Sequence, residues 1–316
     1  MDKHAVNNLL IKINNNSLDF LDDYINMIEK KFNVNINVHD VVGISLLAPS
    51  LEKAFSTHKY HNNCFCNYVK KNHRCLELCM SNKSKLCCRC KKVSTAFYDS
   101  CYMGIEELIY PVMCDKKLIA IICIGQFFSN MDISKKTIHK NCSLYNLKKD
   151  ETENNFVITT RSLDLNLETL HCYISMLIQH LCLSFKLTLE NKINNKSNTE
   201  TDKDILSVHK NNFIISTTTY FIKENYEKPL TLKLLANNSY CNSTYLSHIF
   251  KEKMSTSLTD YINNVRIQNA KELIDLSSKS ITEISMKVGF NDLGYFGRVF
   301  KNVIGLSPKK YREKNT

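Results

Sequence analysis

The stretch Ile281-Thr-Glu-Ile-Ser-Met-Lys-Val-Gly-Phe290, followed at once by Asn291-Asp-Leu-Gly-Tyr-Phe-Gly-Arg-Val-Phe-Lys301, predicts two short helices joined by a tight turn. The two isoleucines and Val288 of the first segment recur at helical spacing, which predicts a helix with one buried face. Gly289 can adopt the positive φ that ends this helix, and Asn291 or Asp292 can cap the next one.

The second helix of this pair has two different faces. Its apolar residues recur every three or four positions and are predicted to pack inward: Tyr295, Phe296, Val299 and Phe300. The other positions form a small, basic outer face: Leu293, Gly294, Gly297, Arg298 and Lys301. A helix pair built in this way fits the major groove of DNA.

An earlier copy of the same pattern supports this interpretation. Tyr-Leu-x-x-Ile-Phe-Lys at 245–251 repeats as Tyr-Phe-x-x-Val-Phe-Lys at 295–301, and Leu232, Leu235 and Ala236 predict its support helix. Apolar spacing over residues 261–274 predicts a long helix between the copies. A rigid pair of this kind could read two successive major grooves, roughly 34 Å apart.

The paired motifs, together with Gly305-Leu-Ser-Pro308, resemble the double helix-turn-helix of the AraC family of transcription regulators. The resemblance covers residues 205–313 and implies an all-α DNA-binding domain at 205–316, with double-stranded DNA as its partner. Two positions depart from the family pattern. Ser255 stands where the family usually has glycine after the first recognition helix, and Gly294 stands where it often has serine.

The residues predicted to contact DNA are Ser243, Thr244, Ser247, His248, Lys251, Asn291, Leu293, Arg298 and Lys301. The polar groups of the first recognition helix and Arg298 are the predicted base readers, whereas Lys251 and Lys301 are expected at phosphates. For His248 a solvated surface side chain is the alternative. Residues 203–316 hold 17 Lys and Arg against 10 Asp and Glu, which is +7 of the formal +11 of the chain.

Composition predicts a soluble, cytoplasmic protein of two or three domains that does not contact a membrane. The longest apolar stretch, 118–128, is too short to span a bilayer, and the Met1-Asp-Lys-His start lacks the apolar region of a secretory signal. The 14 cysteines are therefore expected as thiols, metal ligands or redox groups rather than disulfides. Without a phosphate loop, nucleophile elbow or zinc-protease signature, we predict no enzymatic activity.

Upstream, the patterns predict an α+β sensor domain over residues 10–160. Residues 18–28 predict a helix, 34–38 a strand, and 41–46 its hairpin partner. A second hairpin is predicted from 108–113 and 118–124, after a cysteine-rich helical insertion at 64–101. This order of elements resembles a domain of the PAS or GAF type, whose sheet cups a ligand.

Several short motifs resemble the PocR sensory domain, a PAS-like ligand module often joined to AraC-type DNA-binding domains: Phe65-Cys66, Cys75-Leu-Glu-Leu-Cys79, Tyr98, Cys101-Tyr-Met-Gly-Ile105, Tyr110-Pro-Val112 and Gly125-Gln126. Tyr102 stands where that family commonly has histidine. The resemblance implies sensing of a small molecule, in some members a diol. The predicted ligand-binding residues are Phe65, Tyr98, Tyr110, Ile122 and Gln126, with plain core residues as the alternative.

The cysteines allow a metal hypothesis. The four that match the PocR pattern could bind zinc or an iron–sulfur cluster: Cys66, Cys75, Cys79 and Cys101. A competing set is Cys75, Cys79, Cys87 and Cys90, and redox-active thiols or plain buried and surface cysteines would fit the same pattern without a metal. An Ada-type self-methylating DNA repair protein also joins a cysteine–zinc domain to an AraC-like region. Its cysteine pairs are farther apart than those in this chain.

A connecting helix is predicted at 161–189, where an apolar seam has coiled-coil spacing: Leu163, Leu167, Leu170, Ile174, Leu177 and Leu181. The seam predicts a homodimer, and a helix packed on its own sensor domain is the alternative. Residues 190–204 are predicted to be a flexible linker. The sequence thus predicts a ligand-responsive, sequence-specific transcription regulator with a small-molecule effector, and RNA polymerase is a further candidate partner.

Overall fold

The computed structural model describes residues 20–47, 51–59, 61–194 and 202–315. The chain divides into two compact units, with the boundary between Phe213 and Ile214. The boundary falls inside a helix rather than in the predicted linker. Of that linker, residues 190–194 and 202–204 are helical, and 195–201 lie outside the described residues.

The first unit contains a mixed sheet, which has five strands within the described residues: β1 (Asn35–Asp40), β2 (Phe97–Ser100), β3 (Glu106–Cys114), β4 (Lys117–Phe128) and β5 (Arg161–Ser162). The strands β1, β4, β3 and β2 are antiparallel neighbours in that order, and β5 pairs in parallel with the end of β4. Nearly all of β4 is buried, as expected for a central strand covered on both faces.

Helices surround this sheet: α1 (Phe20–Phe32), α2 (Ile44–Leu47), α3 (Glu52–Thr57), α4 (Cys64–Val69), α5 (His73–Lys92), α6 (Met131–Tyr145), α7 (Lys149–Thr159) and α8 (Leu167–Asn194). The predicted N-terminal helix is confirmed in α1, which buries Leu21, Ile25 and Ile28, whereas Leu18 lies outside the described residues. Most of the cysteine-rich insertion at 64–101 is helical as predicted and forms α4 and α5, but its last part, Phe97–Ser100, is strand β2.

The second predicted hairpin is confirmed and the first is wrong. Strands β3 and β4 are joined by Asp115 and Lys116, both with positive φ, the conformation of a tight hairpin turn. The stretch after β1 is not a strand, because the buried Asp40 carboxylate accepts hydrogen bonds from the backbone N–H groups of residues 42–45. These bonds turn the chain into α2, and β1 pairs with β4 instead.

Four of the six residues of the predicted coiled-coil seam are packed inside the first unit, whereas Leu163 precedes α8 and Leu167 is 45% exposed. Leu170, Ile174, Leu177 and Leu181 of α8 are fully buried, so the alternative of a helix packed on its own domain is the one observed. Within the described residues, α8 is the one helix that is long and apolar enough to cross a membrane. Length and composition alone are weak evidence that a helix spans a membrane. These four residues form one buried face of α8, and 22% of its apolar stretch is buried.

In the second unit, the helices form two copies of a helix-turn-helix. Residues 202–225 form α9, which crosses the unit boundary. The first copy is α10 (Leu232–Asn238) and α11 (Ser243–Met254), and the second is α13 (Ile281–Lys287) and α14 (Leu293–Ile304). The linking helix α12 (Leu258–Leu276) lies between them, and α15 (Pro308–Asn315) follows. Each predicted helix is therefore present.

The turn between α13 and α14 depends on a glycine. Gly289 has φ +91°, its N–H donates to the Met286 carbonyl, and the N–H of Phe290 donates to that of Ser285. This hydrogen-bond pair is a Schellman motif, which satisfies the last carbonyls of the helix. In the first copy, Ser255 takes φ +53° after α11, so the turn forms there without glycine.

Candidate functional site

A cavity of about 320 Å³ lies in the first unit, between α5 and one face of the sheet. Alternate strand residues point into it: His39 from β1, Asp99 from β2, Glu107 and Ile109 from β3, and Cys123 from β4. This alternation follows from the two-residue period of a strand. Helices α4 and α5 and the segment 100–105 complete the walls.

The opposite face of the same strands packs on α8. Tyr110 stacks on His171 of α8 with ring centroids 5.8 Å apart, whereas its neighbour Ile109 lines the cavity. Strand β3 therefore separates the cavity from the connecting helix by the thickness of one sheet.

None of the five predicted ligand-binding residues is among those that line this cavity. Phe65 is buried against Phe156, with ring centroids 5.4 Å apart. The Tyr98 hydroxyl donates to Glu106 at 2.6 Å, and Ile122 and Gln126 are buried. Neighbouring residues of a strand point to opposite faces, so the cavity is lined by Asp99, Ile109 and Cys123 rather than by their predicted neighbours on the same strands.

The cavity contains a connected row of a thiol, an imidazole and a carboxylate. The Cys66 sulfur lies 4.0 Å from Nδ1 of His61, and Nε2 of His61 lies 3.1 Å from Oε1 of Glu107. Burial lowers the pKa of His61, but Glu107 and Cys66 together outweigh it and hold this pKa well above its usual value. Burial raises the pKa of Cys66, but the hydrogen bond and charge of His61 outweigh it and lower this pKa.

Basic side chains outnumber acidic ones along the cavity walls. Lysines 70, 83 and 85 and Arg89 line it, against Asp99 and Glu107. Arg89 is paired with Asp99 at 2.9 Å, and burial, followed by the charge of Lys59, lowers the pKa of Lys83 to about 7. These walls suit a small molecule that carries oxygen atoms, because the basic groups can donate hydrogen bonds to them.

The cysteines are not arranged as a metal site. The described part of the chain holds no group of three or more His, Cys, Asp or Glu side chains that could bind a metal ion. Cys66, Cys79 and Cys101 line the cavity, whereas Cys75 does not and is buried in an apolar cluster against which Cys66 and Cys101 also pack. Burial raises the pKa of Cys75, Cys79 and Cys101, which favours neutral thiols there.

The competing cysteine set fails for a geometric reason. Cys75, Cys79, Cys87 and Cys90 all lie on α5, which is one continuous helix. The rise along a helix separates Cys79 from Cys87 by roughly 12 Å. Zinc–sulfur bonds are about 2.3 Å long, so the two pairs cannot meet at one ion.

In the second unit, the predicted DNA-contacting residues lie on the outer faces of α11 and α14, except Asn291, which precedes α14. Ser243 is half-buried, and the others are exposed: Thr244, Ser247, His248, Lys251, Asn291, Leu293, Arg298 and Lys301. The opposite faces bury Leu246, Ile249 and Phe250 in α11 and Phe296 and Phe300 in α14. Both helices therefore present polar and basic groups outward.

Side-chain caps fix where each recognition helix begins. The Asn242 side chain accepts from the Tyr245 N–H at 2.7 Å in α11, and the Asp292 side chain accepts from the Tyr295 N–H in α14. Asp292 rather than Asn291 is thus the cap. Tyr295 differs from the prediction, because its ring is 39% exposed and its hydroxyl accepts from Asn263 of α12 at 2.8 Å.

His248 is mostly exposed, and its Nδ1 lies 3.8 Å from a carboxylate oxygen of Glu252 on the same helix. This position fits a base contact and a solvated surface side chain equally well, so both interpretations remain open.

His61, Glu107 and Lys83 were missed by the sequence analysis. Glu107 carried a usable signal, because a carboxylate that shares a face with Ile109 on a mostly apolar strand needs a partner when it is buried. His61 had no comparable signal, since it lies in a loop and meets Glu107 only through the fold.

Comparison with known proteins gives two family matches. Residues 18–182 match the family model for the sensory domain found in PocR, and residues 235–314 match one for a helix-turn-helix domain. The regulatory protein PocR of Salmonella typhimurium is 21% identical over 221 residues, covering 68% of this chain and 70% of that protein.

Other relatives match about a third of the chain. The melibiose operon regulatory protein of Escherichia coli is 33% identical over 113 residues, covering 36% of this chain and 37% of that protein. The match spans only 33% to 37% of the length of the first five curated relatives. A solved AraC-type transcriptional regulator from Chromobacterium violaceum is 23% identical, with a TM-score of 0.31, over 33% of this chain and 92% of that chain.

Proposed function

We infer the function of this chain from its family, since it belongs to the proteins that carry the sensory domain found in PocR, here followed by an AraC-type helix-turn-helix domain. We propose that it regulates transcription by binding specific DNA sequences in response to a small molecule. The observation that carries the proposal is the exposed polar and basic face on each of the two recognition helices α11 and α14.

The exposed residues of α11 and α14 would make two kinds of contact with DNA, to bases and to phosphates. Arg298 offers the guanidinium fork that matches the two acceptors of guanine, and Leu293 can contact a thymine methyl group. Lys251 and Lys301 stand where they can neutralise phosphates, which positions the protein without reading sequence. With four to six such contacts, the affinity falls with salt at a log–log slope of roughly −0.9 per contact.

The cavity in the first unit is the effector site in this proposal. An occupant touches Glu107 and Ile109 on one face of β3, while Tyr110 on the other face touches α8. Binding that favours one position of β3 shifts the population of α8 positions. The affinity for DNA then changes by the same differential free energy.

We also propose a homodimer in the cytoplasm, with RNA polymerase as a partner at the promoter. The buried seam of α8 is not available for pairing, but α8 also carries exposed apolar side chains at Met176, Leu183 and Leu187. These residues are the candidate contact between two copies. Sedimentation of wild type and of Met176→Glu, Leu183→Glu distinguishes a dimer held by this face from a monomer.

No observation favours the Ada-type alternative. That activity needs a metal-bound thiolate, and the described residues lack a group that could hold the metal. Elemental analysis of anaerobically purified protein checks this point, because a stoichiometric amount of zinc or iron would support the hypothesis that the cysteines bind a metal.

The experiment that tests the proposal is selection of bound sequences from random double-stranded DNA by the full-length protein. We expect enrichment of a site with two contacted segments one helical turn apart, about 10 base pairs. Arg298→Ala lowers discrimination between this site and random DNA by about 1–3 kcal/mol. Gln268→Ala, an exposed change on α12, serves as the matched control. Failure to enrich any sequence would contradict the proposal.

A further inference from the structure

The row formed by Cys66, His61 and Glu107 has the order in which proteins activate a nucleophile. The imidazole lies between the thiol, 4.0 Å from Nδ1, and the carboxylate, 3.1 Å from Nε2. In such an arrangement the imidazole accepts the proton of the thiol, and the carboxylate stabilises the imidazolium that results. The carboxylate belongs to a buried residue of β3, so water screens this pair weakly.

Local hydrogen bonds hold the row in place. The Asn63 side chain caps α4 by accepting from the Cys66 N–H at 2.7 Å, which fixes Cys66 in the first turn. The Lys70 ammonium donates to the His61 carbonyl at 3.2 Å, and the His61 ring meets the His39 ring edge-on at 6.3 Å. These contacts position the Cys66 thiol and the His61 ring relative to each other.

Cys66 also differs from the other cysteines that line the cavity in the direction of its pKa shift. Among the described cysteines whose pKa is shifted, Cys66 alone has a lowered pKa, because the hydrogen bond and charge of His61 outweigh burial. Burial raises the pKa of Cys79, Cys101 and Cys123, which line the same cavity. Cys66 is therefore the thiol of this cavity that ionises most readily.

The cavity limits what can react there. At about 320 Å³ it holds a molecule of roughly ten non-hydrogen atoms, since a water occupies about 30 Å³. Val69, Met80 and Ile105 give it apolar walls for a short carbon chain. A carbonyl carbon reacts with a thiolate without an oxidant or a leaving group, so an aldehyde needs nothing that the cavity does not hold.

We propose that the cavity captures a small aldehyde as a reversible hemithioacetal on the sulfur of Cys66. This inference rests on the proposed function, because it names the chemical class of the effector. The Cys66 thiolate attacks the aldehyde carbon, and the electron pair of the C=O π bond moves to oxygen. The imidazolium of His61 then gives that oxygen the proton that it took from the thiol. The net change is addition of S–H across C=O, and the reverse steps release the aldehyde.

The test is carbon NMR of the full-length protein with butanal labelled with carbon-13 at the aldehyde carbon. We expect a protein-bound hemithioacetal signal with wild type and with Cys64→Ser, and its loss with Cys66→Ser. Cys64 is exposed and lies two residues away, outside the cavity lining, so it is the matched control. A signal that persists in Cys66→Ser, or no signal with wild type, overturns the proposal.

Glu107 acts through His61 and is a positioning residue, which calls for a separate readout. The rate of iodoacetamide alkylation at Cys66, followed by peptide mass spectrometry against pH, reports its thiolate fraction. Glu107→Gln is expected to move this profile to higher pH and to slow the reaction at pH 7 on the order of tenfold, which corresponds to one pKa unit. Glu107→Asp restores part of the rate. An unchanged profile in Glu107→Gln contradicts the role of the row.

The outcomes separate this inference from the proposed function. If DNA selection succeeds and no adduct forms, the aldehyde inference fails and the regulator remains. If the adduct forms and no DNA sequence is enriched, the regulator fails and the reactive site remains.

Discussion

Replacing Gly289 with alanine should destabilise the second helix-turn-helix more than any other glycine change in this unit. A Cβ at this position would lie 2.7 Å from the Glu227 carbonyl oxygen and 2.8 Å from that of Tyr226. Both contacts are with backbone atoms, which cannot rotate away. The backbone must therefore move, or the turn between α13 and α14 must open.

The magnitude has two parts. A non-glycine residue at φ +91° costs about 1–2 kcal/mol in backbone strain. Forcing the Cβ into packed atoms adds about 1–3 kcal/mol. We therefore expect a loss of about 2–5 kcal/mol, a large part of the stability of a small domain, which is typically about 5–15 kcal/mol.

Gly305→Ala is the matched control for the strain alone. Gly305 has φ +88°, but no atom lies within 4 Å of a Cβ built there. It should lose only the strain, about 1–2 kcal/mol. Hydrogen exchange of the full-length variants, read on peptides from residues 281–304, gives the free energy of local opening. Equal losses in the two variants would refute the steric argument, and no loss in either would refute the strain argument as well.

Three further predictions concern the other features described above. Asp40→Ala removes the acceptor of four backbone N–H groups, so we expect the first unit to lose about 2–4 kcal/mol in urea unfolding; an unchanged midpoint would contradict this. Lys83 has a pKa lowered from 10.5 to about 7, so the unfolded chain binds more protons and wild-type stability rises between these pH values. The gain from Lys83→Met should thus be largest below pH 7 and shrink toward pH 9 in thermal unfolding, and a gain independent of pH would rule the mechanism out. Lys301→Ala should weaken binding to specific and random DNA equally and reduce the salt slope by roughly 0.9; a loss confined to the specific site would instead make Lys301 a base reader.

The sequence was most informative where local patterns determine structure. Helical spacing and the repeated Tyr-x-x-x-x-Phe-Lys motif located both recognition helices and their exposed faces, because a helix buries residues at fixed intervals wherever it packs. The hairpin at Asp115 and Lys116 was equally readable, since adjacent strands and a two-residue turn are close in the chain.

The sensor cavity could not be derived in this way. Its lining depends on which face of each strand meets α5, and an apolar central strand such as β4 has no polar side to mark the difference. The contact between His61 and Glu107 joins residues from distant segments, which no local pattern reports. The Asp40 carboxylate redirected the chain after β1 through hydrogen bonds that the alternating pattern does not encode.

The two faces of β3 contact different parts of the domain, which makes the domain a convenient starting point for biosensor engineering. Odd-numbered positions such as Glu107 and Ile109 face the cavity, and Tyr110 faces α8. Under the proposed mechanism, a library that randomises only the cavity positions can search for new effectors while leaving the proposed signalling contact between β3 and α8 intact. Conversely, a library at the α8 face can adjust the strength of the response without altering what is recognised.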